Sequence, residues 1–394
     1  MMRNERLDHL AEFPFRRLAA LLAREPAAPG PTLDLALGEP RHAPPALLAE
    51  TVAAHAQLWN RYPPVLGTPE FRAAAANWLT RRFGLPPGTV DGDRHVCPLA
   101  GTKEGLYLLP SLVTSRRGNP AILMPDPVYA VYFGGATMAG AEPVLLPATA
   151  DTGFLPDLDA LDPALLDRTA LFYLCTPANP QGAVADLDYL RRAVRLARRH
   201  GFLLAVDECY CELWDCDPPP GALEAALAED NSLDQVVVFH SLSKRSSAPG
   251  LRSGFVAGEP AVIKDLVRLR AYASPVQPLP LLAAATALWR DEAHVEQNRE
   301  LYRAKFDLAE RRLSNRFGFY RPAGGFFLWL DVVDGEAACR RLWTEGGLRV
   351  LPGAYLSGGD PAASPGRPYI RVALVDEAAT VDSALARLSA VLEP

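Results

Sequence analysis

Four short runs of unbroken apolar residues constrain this chain most: AILM at 121–124, ALFYL at 170–174, FLLAV at 202–206 and VVVF at 236–239. Each gives way to small or polar residues within a few positions, which is how a strand buried on both faces reads. Helical stretches separate the runs, so the chain from about 95 to 260 alternates strand and helix. That order predicts an α/β layer on a mainly parallel sheet. Such sheets bind ligands beyond the carboxyl ends of their strands, so the residues that end the runs are candidates for function.

The run at 236–239 passes through His240 into SLSKRSSAPGLRSG at 241–254. Lys244 stands just beyond the strand end, with Ser241 and Ser243 before it and Arg252 after it. Hydroxyls and a guanidinium around one lysine suit a phosphate, because arginine offers a fixed donor fork and serines offer short donors. Taken alone, the stretch fits a solvated loop equally well. Five positions near strand ends nevertheless carry special residues: Thr102, Tyr129, Asn179, Asp207 and Lys244. Together they suit pyridoxal phosphate, which needs an amine for an imine, an acid beside the pyridine nitrogen and donors to the ring oxygen. The helix opening at Thr102 would supply backbone donors to the phosphate.

The flanks are mixed in character. A helical pattern over FRRLAALL (15–22) precedes a predicted strand at 33–37, a turn at Gly38 and a proline-started helix over 45–59. Thr68 and Pro69 read as cap and first residue of another helix. GLRSGFVAG (250–258) reads as a strand and the chain from 276 as helical, followed by a long charged helix over 293–317. Beyond it, 326–333, 348–353 and 368–375 have strand character, and a last amphipathic helix starts at 377. The change of order places a domain boundary near 290.

A chain of 394 residues exceeds one ordinary core, so two or three domains are expected. Its net charge of −6 leaves no electrostatic footprint for nucleic acid, although local arginines can still hold small anions. The six cysteines lack zinc-like spacing and read as reduced thiols of a cytoplasmic protein. The opening MMRNERLDHLAEFPF has no apolar core of a signal peptide, and no apolar stretch of about 18 residues suggests a membrane span.

The motifs NPQG (179–182), DECY (207–210), SLSK (241–244) and GLR (250–252), with RYPPVLGTPEFR (61–72) and YIRVALV (369–375), resemble those of the fold-type I, class I/II aminotransferases. The match runs over nearly the whole chain in the family's order. It implies a large domain on a mainly parallel seven-stranded sheet between helices, spanning 46–290, and a smaller α+β domain from 1–45 and 291–394. It implies Lys244 as the lysine that holds pyridoxal 5′-phosphate and shuttles a proton between substrate Cα and the cofactor's C4′. Asp207 would pair with the pyridine nitrogen, while Asn179 and Tyr210 would hydrogen-bond the ring oxygen. Ser241, Ser243 and Arg252 would bind the phosphate with the amides of Thr102 and Lys103. Tyr129 would stack on the ring, and Tyr62 would reach the phosphate of a neighbouring subunit in a homodimer. Arg371 would clamp the substrate α-carboxylate, assisted by the backbone of Gly38.

Singly, each of these residues has a plainer reading: Asp207 a helix cap, Asn179 a turn, Tyr129 and Tyr62 ordinary aromatics, Arg371 an edge charge. Their co-occurrence in order favours the chemistry. Gln181 stands where the family commonly has threonine and is expected to shape the loop. RSSAPGLRSGFVAG (245–258), DECYCELW, AHVEQNRELYRAKFD, FPFRRLAALL and GEPRHAPPALL resemble the N-succinyl-diaminopimelate aminotransferases of the lysine pathway. Such a substrate is multiply anionic and needs cations beyond Arg371; Arg41 is one candidate, without an assigned role. An aspartate, alanine or aromatic aminotransferase, a non-catalytic regulator on the same fold, or lyase, decarboxylase or racemase chemistry remain alternatives.

Overall fold

The structure, a computed structural model, describes residues 3–114, 118–273 and 275–393. Twelve strands are found among them: β1 (Leu33–Asp34), β2 (Val96–Leu99), β3 (Ala121–Asp126), β4 (Glu142–Pro147), β5 (Thr169–Cys175), β6 (Leu203–Asp207), β7 (Val236–Ser241), β8 (Gly254–Gly258), β9 (Phe327–Asp331), β10 (Leu348–Arg349), β11 (Leu351–Pro352) and β12 (Tyr369–Ala373). Seven form one sheet in the order β2-β8-β7-β6-β5-β3-β4. All of its pairings are parallel except the two that β8 makes, so the sheet is mainly parallel as its apolar runs require.

Burial on both faces is visible residue by residue. Phe172, Leu174, Leu204, Val206, Val236 and Val238 belong to one apolar cluster, whereas Leu171, Tyr173, Leu203, Ala205, Val237 and Phe239 belong to another. Alternate side chains of a strand point to opposite faces, so each run feeds two cores at once. Helices cover both faces and have ends fixed by local chemistry. Thr68 Oγ1 accepts from Phe71 N ahead of Pro69–Arg82, and Asp186 caps Leu187–His200, which Gly201 closes in the left-handed conformation.

A separate cluster joins Leu18, Leu22, Leu35 and Ala36 to Leu328, Ile370, Val372 and Leu385. Its antiparallel sheet runs β11-β12-β9, and β1 pairs in parallel with β10. A third contact zone, with Tyr210, Leu213, Tyr302, Phe326, Phe327 and Ala373, lies where these parts meet.

Several elements differ from their predicted extents. The strand expected over 33–37 stops at Asp34, because the Asp34 carboxylate accepts from Ala36 N at 2.9 Å and turns the chain. The helix expected over 45–59 is α-helical only over Ala46–Ala54. His55 bonds back to Thr51 and leaves helical geometry, and a 3-10 turn follows over Ala56–Asn60. The 348–353 stretch is two short strands serving different sheets. The strand expected from 250 begins at Gly254, after a 3-10 turn and Arg252 at φ +51°. A helix over Pro260–Ala273 was not anticipated, and the next one starts at Leu279.

Candidate active site

A cavity of about 640 Å³ opens at the carboxyl ends of the central strands. Thr102, Lys103, Tyr129, Asn179, Asp207, Tyr210, Ser241, Ser243, Lys244, Arg252, Gly38 and Arg371 all line it. Only Tyr62 among the predicted residues does not; it projects into solvent, 101% exposed.

The floor is set by neighbouring strand ends. Asp207 closes β6 and is in register with Cys175 on one side and Phe239 on the other. Its carboxylate accepts from the Tyr132 hydroxyl at 2.7 Å and from Cys209 N at 3.2 Å. Tyr132 is fixed in turn by stacking on Tyr173 at 4.4 Å between ring centroids. These two donors fix the orientation of the Asp207 side chain, which lines the cavity.

Lys244 lies in the one-turn helix Leu242–Arg245, capped when Ser241 Oγ accepts from Ser243 N. Its ammonium donates to Gly38 O at 2.9 Å and has no carboxylate partner among the described residues. Burial pulls its pKa down to about 8, which keeps the amine close to its reactive neutral form.

Arg371, in β12, is buried and likewise lacks a carboxylate partner among the described residues. Its guanidinium donates to Asn179 Oδ1 at 3.1 Å and to Ala36 O at 2.8 Å, while Nε has no partner. Desolvation lowers its pKa to about 10. An arginine held this way presents an unsatisfied charge for an anionic group. Asn179 Nδ2 also donates to the Tyr210 hydroxyl at 3.4 Å, so Asn179, Tyr210 and Arg371 form one connected group.

At the other end of the cavity, Gly101 has φ +83° ahead of the helix Thr102–Val113, and a Cβ there would fall 2.1 Å from Arg252 Nη2. Glycine therefore lets the helix start and Arg252 share a small space. With Ser241 and Ser243 these groups make a cradle whose donors fit a phosphate. A phosphate cradle, a facing carboxylate and an amine of lowered pKa are the donor set that pyridoxal phosphate requires.

Two expectations are refined. Gln181 is buried, its backbone carbonyl accepts from the Tyr320 hydroxyl at 2.8 Å, and Gly182 beside it has φ +70°. Arg41 turns away from the cavity toward Asp376 at 2.5 Å. Sequence reasoning missed Tyr132 and Cys209, both on the cavity wall. Tyr132 lies three residues past Tyr129, one helical turn on; Cys209 is hidden inside the DECY motif.

Comparison with known proteins agrees with this geometry. The family model described as aminotransferase class I and II matches residues 31–388, and the chain belongs to that family, whose members use pyridoxal phosphate. It is 34% identical to the 4-dedimethylamino-4-oxo-anhydrotetracycline transaminase OxyQ of Streptomyces rimosus, over 97% of this chain and 100% of that one. It is 31% identical to an LL-diaminopimelate aminotransferase of Desulforudis audaxviator, covering 98% and 97%. A crystallised aminotransferase from Neisseria meningitidis superposes with a TM-score of 0.94 at 35% identity, over 99% and 100% of the two chains.

Proposed function

We propose that this enzyme transfers the amino group between N-succinyl-LL-2,6-diaminopimelate and 2-oxoglutarate, giving N-succinyl-2-amino-6-oxopimelate and glutamate, in lysine biosynthesis. The observation that carries the reading is that, besides Lys244 and Arg252, two further cations line the cavity, the buried Arg371 and the exposed Lys103, neither in a salt bridge among the described residues. A substrate with carboxylates at both ends suits that pair. The resemblance of the stretch after Lys244 to the succinyl-specific enzymes adds support. Apolar Phe13, Pro14, Phe15 and Leu37 also line the cavity and suit an acylated amine better than a free ammonium.

In this reading pyridoxal phosphate supplies an electron sink for negative charge at the substrate Cα. Asp207, steadied by Tyr132 and Cys209 N, holds a proton on the pyridine nitrogen. Asn179 and Tyr210 donate to the ring oxygen, and Tyr129 stacks on the ring. Ser241, Ser243, Arg252 and the amides of Thr102 and Lys103 bind the phosphate. Arg371 would orient the substrate carboxylate with the backbone of Gly38, and Lys244 Nζ would hold and move the proton at the substrate Cα. Residues 46–290 form the cofactor domain and 1–45 with 291–394 the smaller one. Two chains associate, each lending Tyr62 to its partner's phosphate site; the full exposure of Tyr62 and the half-exposed Trp59 support this.

A second reading, transfer from unacylated LL-diaminopimelate, is favoured by Glu39 on the same cavity wall, which suits a distal ammonium. A panel of amino donors with 2-oxoglutarate separates the two. The first reading expects kcat/KM for the succinylated donor to exceed that for the free diamine by about tenfold or more, equal to about 1.4 kcal/mol. Preference for the free diamine, for aspartate or for an aromatic donor overturns it.

A further inference from the structure

The stretch Arg245-Ser246-Ser247 has no part in the chemistry above, yet it is tied down on every side. Arg245 donates to the carbonyls of Leu288 and Asp291, Ser246 Oγ lies 2.8 Å from His294 Nε2, and Ser247 Oγ donates to His42 O. Beneath it runs a buried chain of side chains. Asn298 Nδ2 donates to the carbonyls of Lys244 at 3.0 Å and Arg245 at 3.3 Å. Asn298 Oδ1 lies 2.9 Å from His42 Nδ1, and His42 Nε2 lies 2.6 Å from Lys305 Nζ. Lys305 also donates to Leu374 O at 3.1 Å, three residues beyond Arg371.

The hydrogen-bond polarity of this chain is fixed. Asn298 spends its amide N–H on backbone carbonyls, so its oxygen accepts from His42 Nδ1–H; His42 Nε2 is then an acceptor for Lys305. All three side chains are less than a tenth exposed. Burial lowers the pKa of both His42 and Lys305, with Glu377 facing both and Asp376 facing Lys305. The Tyr302 ring packs against His42 and Lys305. A buried ammonium without a hydrogen-bonded carboxylate is a poor choice for stability alone.

The same short segment, 38–42, therefore touches Lys244 twice. Gly38 O receives the ammonium, and His42 reaches the Lys244 carbonyl through Asn298. We infer that Asn298 and His42 are positioning residues: through the Asn298 bonds to the Lys244 and Arg245 carbonyls they fix the Lys244 backbone relative to the Gly38 turn and so set where Nζ stands, while Lys305 holds His42 in the tautomer that donates to Asn298. The inference rests on Lys244 being the cofactor lysine.

Replacing His42 tests it in halves. H42N keeps a donor near the Nδ1 position for Asn298 but loses Lys305; H42Q keeps an acceptor near Nε2 for Lys305 but loses Asn298. Holoenzymes of H42N, H42Q, N298A and K244A are compared in kcat, KM, melting temperature and the pH titration of the bound cofactor's absorption band. N298A and H42Q are expected to lose about tenfold in kcat and to share a displaced titration midpoint, with H42N losing less than about threefold, since small misplacement of a reacting group costs rate steeply. Changes in H42N and H42Q that are equal and follow only the melting temperature, or an N298A band and kcat like wild type, overturn the inference. A K244A protein that keeps the band and turnover instead overturns the function on which it rests.

Discussion

At the residue scale, the cavity is defined by charged groups that lack their usual partners. Arg371 donates to an amide and a carbonyl where a carboxylate would normally sit. Arg371→Lys keeps the charge but loses the fork, so kcat/KM for the oxo acid should fall roughly 100-fold, about 3 kcal/mol, mainly through KM. Tyr132→Phe removes one donor to Asp207 and should weaken cofactor retention by about 5- to 10-fold, from the ~1 kcal/mol of one such bond. Equilibrium titration of the apoenzyme with cofactor reads that change directly. Lys244 makes a stability prediction with a definite sign. Its folded pKa, about 8, lies below the 10.5 of the free side chain, so between those values the unfolded chain binds more protons and stability rises with pH. Below pH 8 the burial penalty is fully present, up to about 3 kcal/mol. In urea unfolding of the apoenzyme, Lys244→Met should therefore gain most over wild type near pH 7.5, and the advantage should shrink toward pH 10.5. A pH-independent difference would mean that the lysine is not desolvated.

At the element scale, the strand ends and turns do the placing. Gly101 is the sharpest case: alanine there meets both a positive φ and the Arg252 guanidinium. Gly101→Ala should raise the dissociation constant for inorganic phosphate and for cofactor together, by about tenfold, if roughly 1–2 kcal/mol of strain is relieved by displacing Arg252. The central strands were legible because a strand buried on both faces has to be continuously apolar, and its end announces itself in Asp207 or Ser241. The flanking elements were less legible for local reasons. Asp34 ends its strand through a side-chain turn, His55 ends its helix by bonding back to Thr51, and Arg252 takes a left-handed conformation inside an expected strand. Each is a side chain competing with the backbone pattern, which hydrophobic periodicity does not register. Tyr132 was hidden for another reason: its role comes from the fold bringing it to Asp207, 75 residues away.

At the scale of the whole molecule, the family membership agrees with the mainly parallel sheet, and the cavity lies where β12 of the small antiparallel sheet meets the ends of the large one. The dimer proposal makes Tyr62 its test. Sedimentation should give a species of twice 42.7 kDa, and Tyr62→Phe should weaken cofactor binding without altering the melting temperature of the apoenzyme. A monomer with full activity contradicts it. Everything else turns on Lys244. The most direct measurement is the absorption spectrum of cofactor-saturated protein before and after glutamate, for wild type and Lys244→Ala. Wild type should carry the band of lysine-bound cofactor and lose it to glutamate with release of 2-oxoglutarate, whereas the variant should lack the band and the exchange. A wild-type protein without that band, or a Lys244→Ala protein that exchanges at the wild-type rate, contradicts the account.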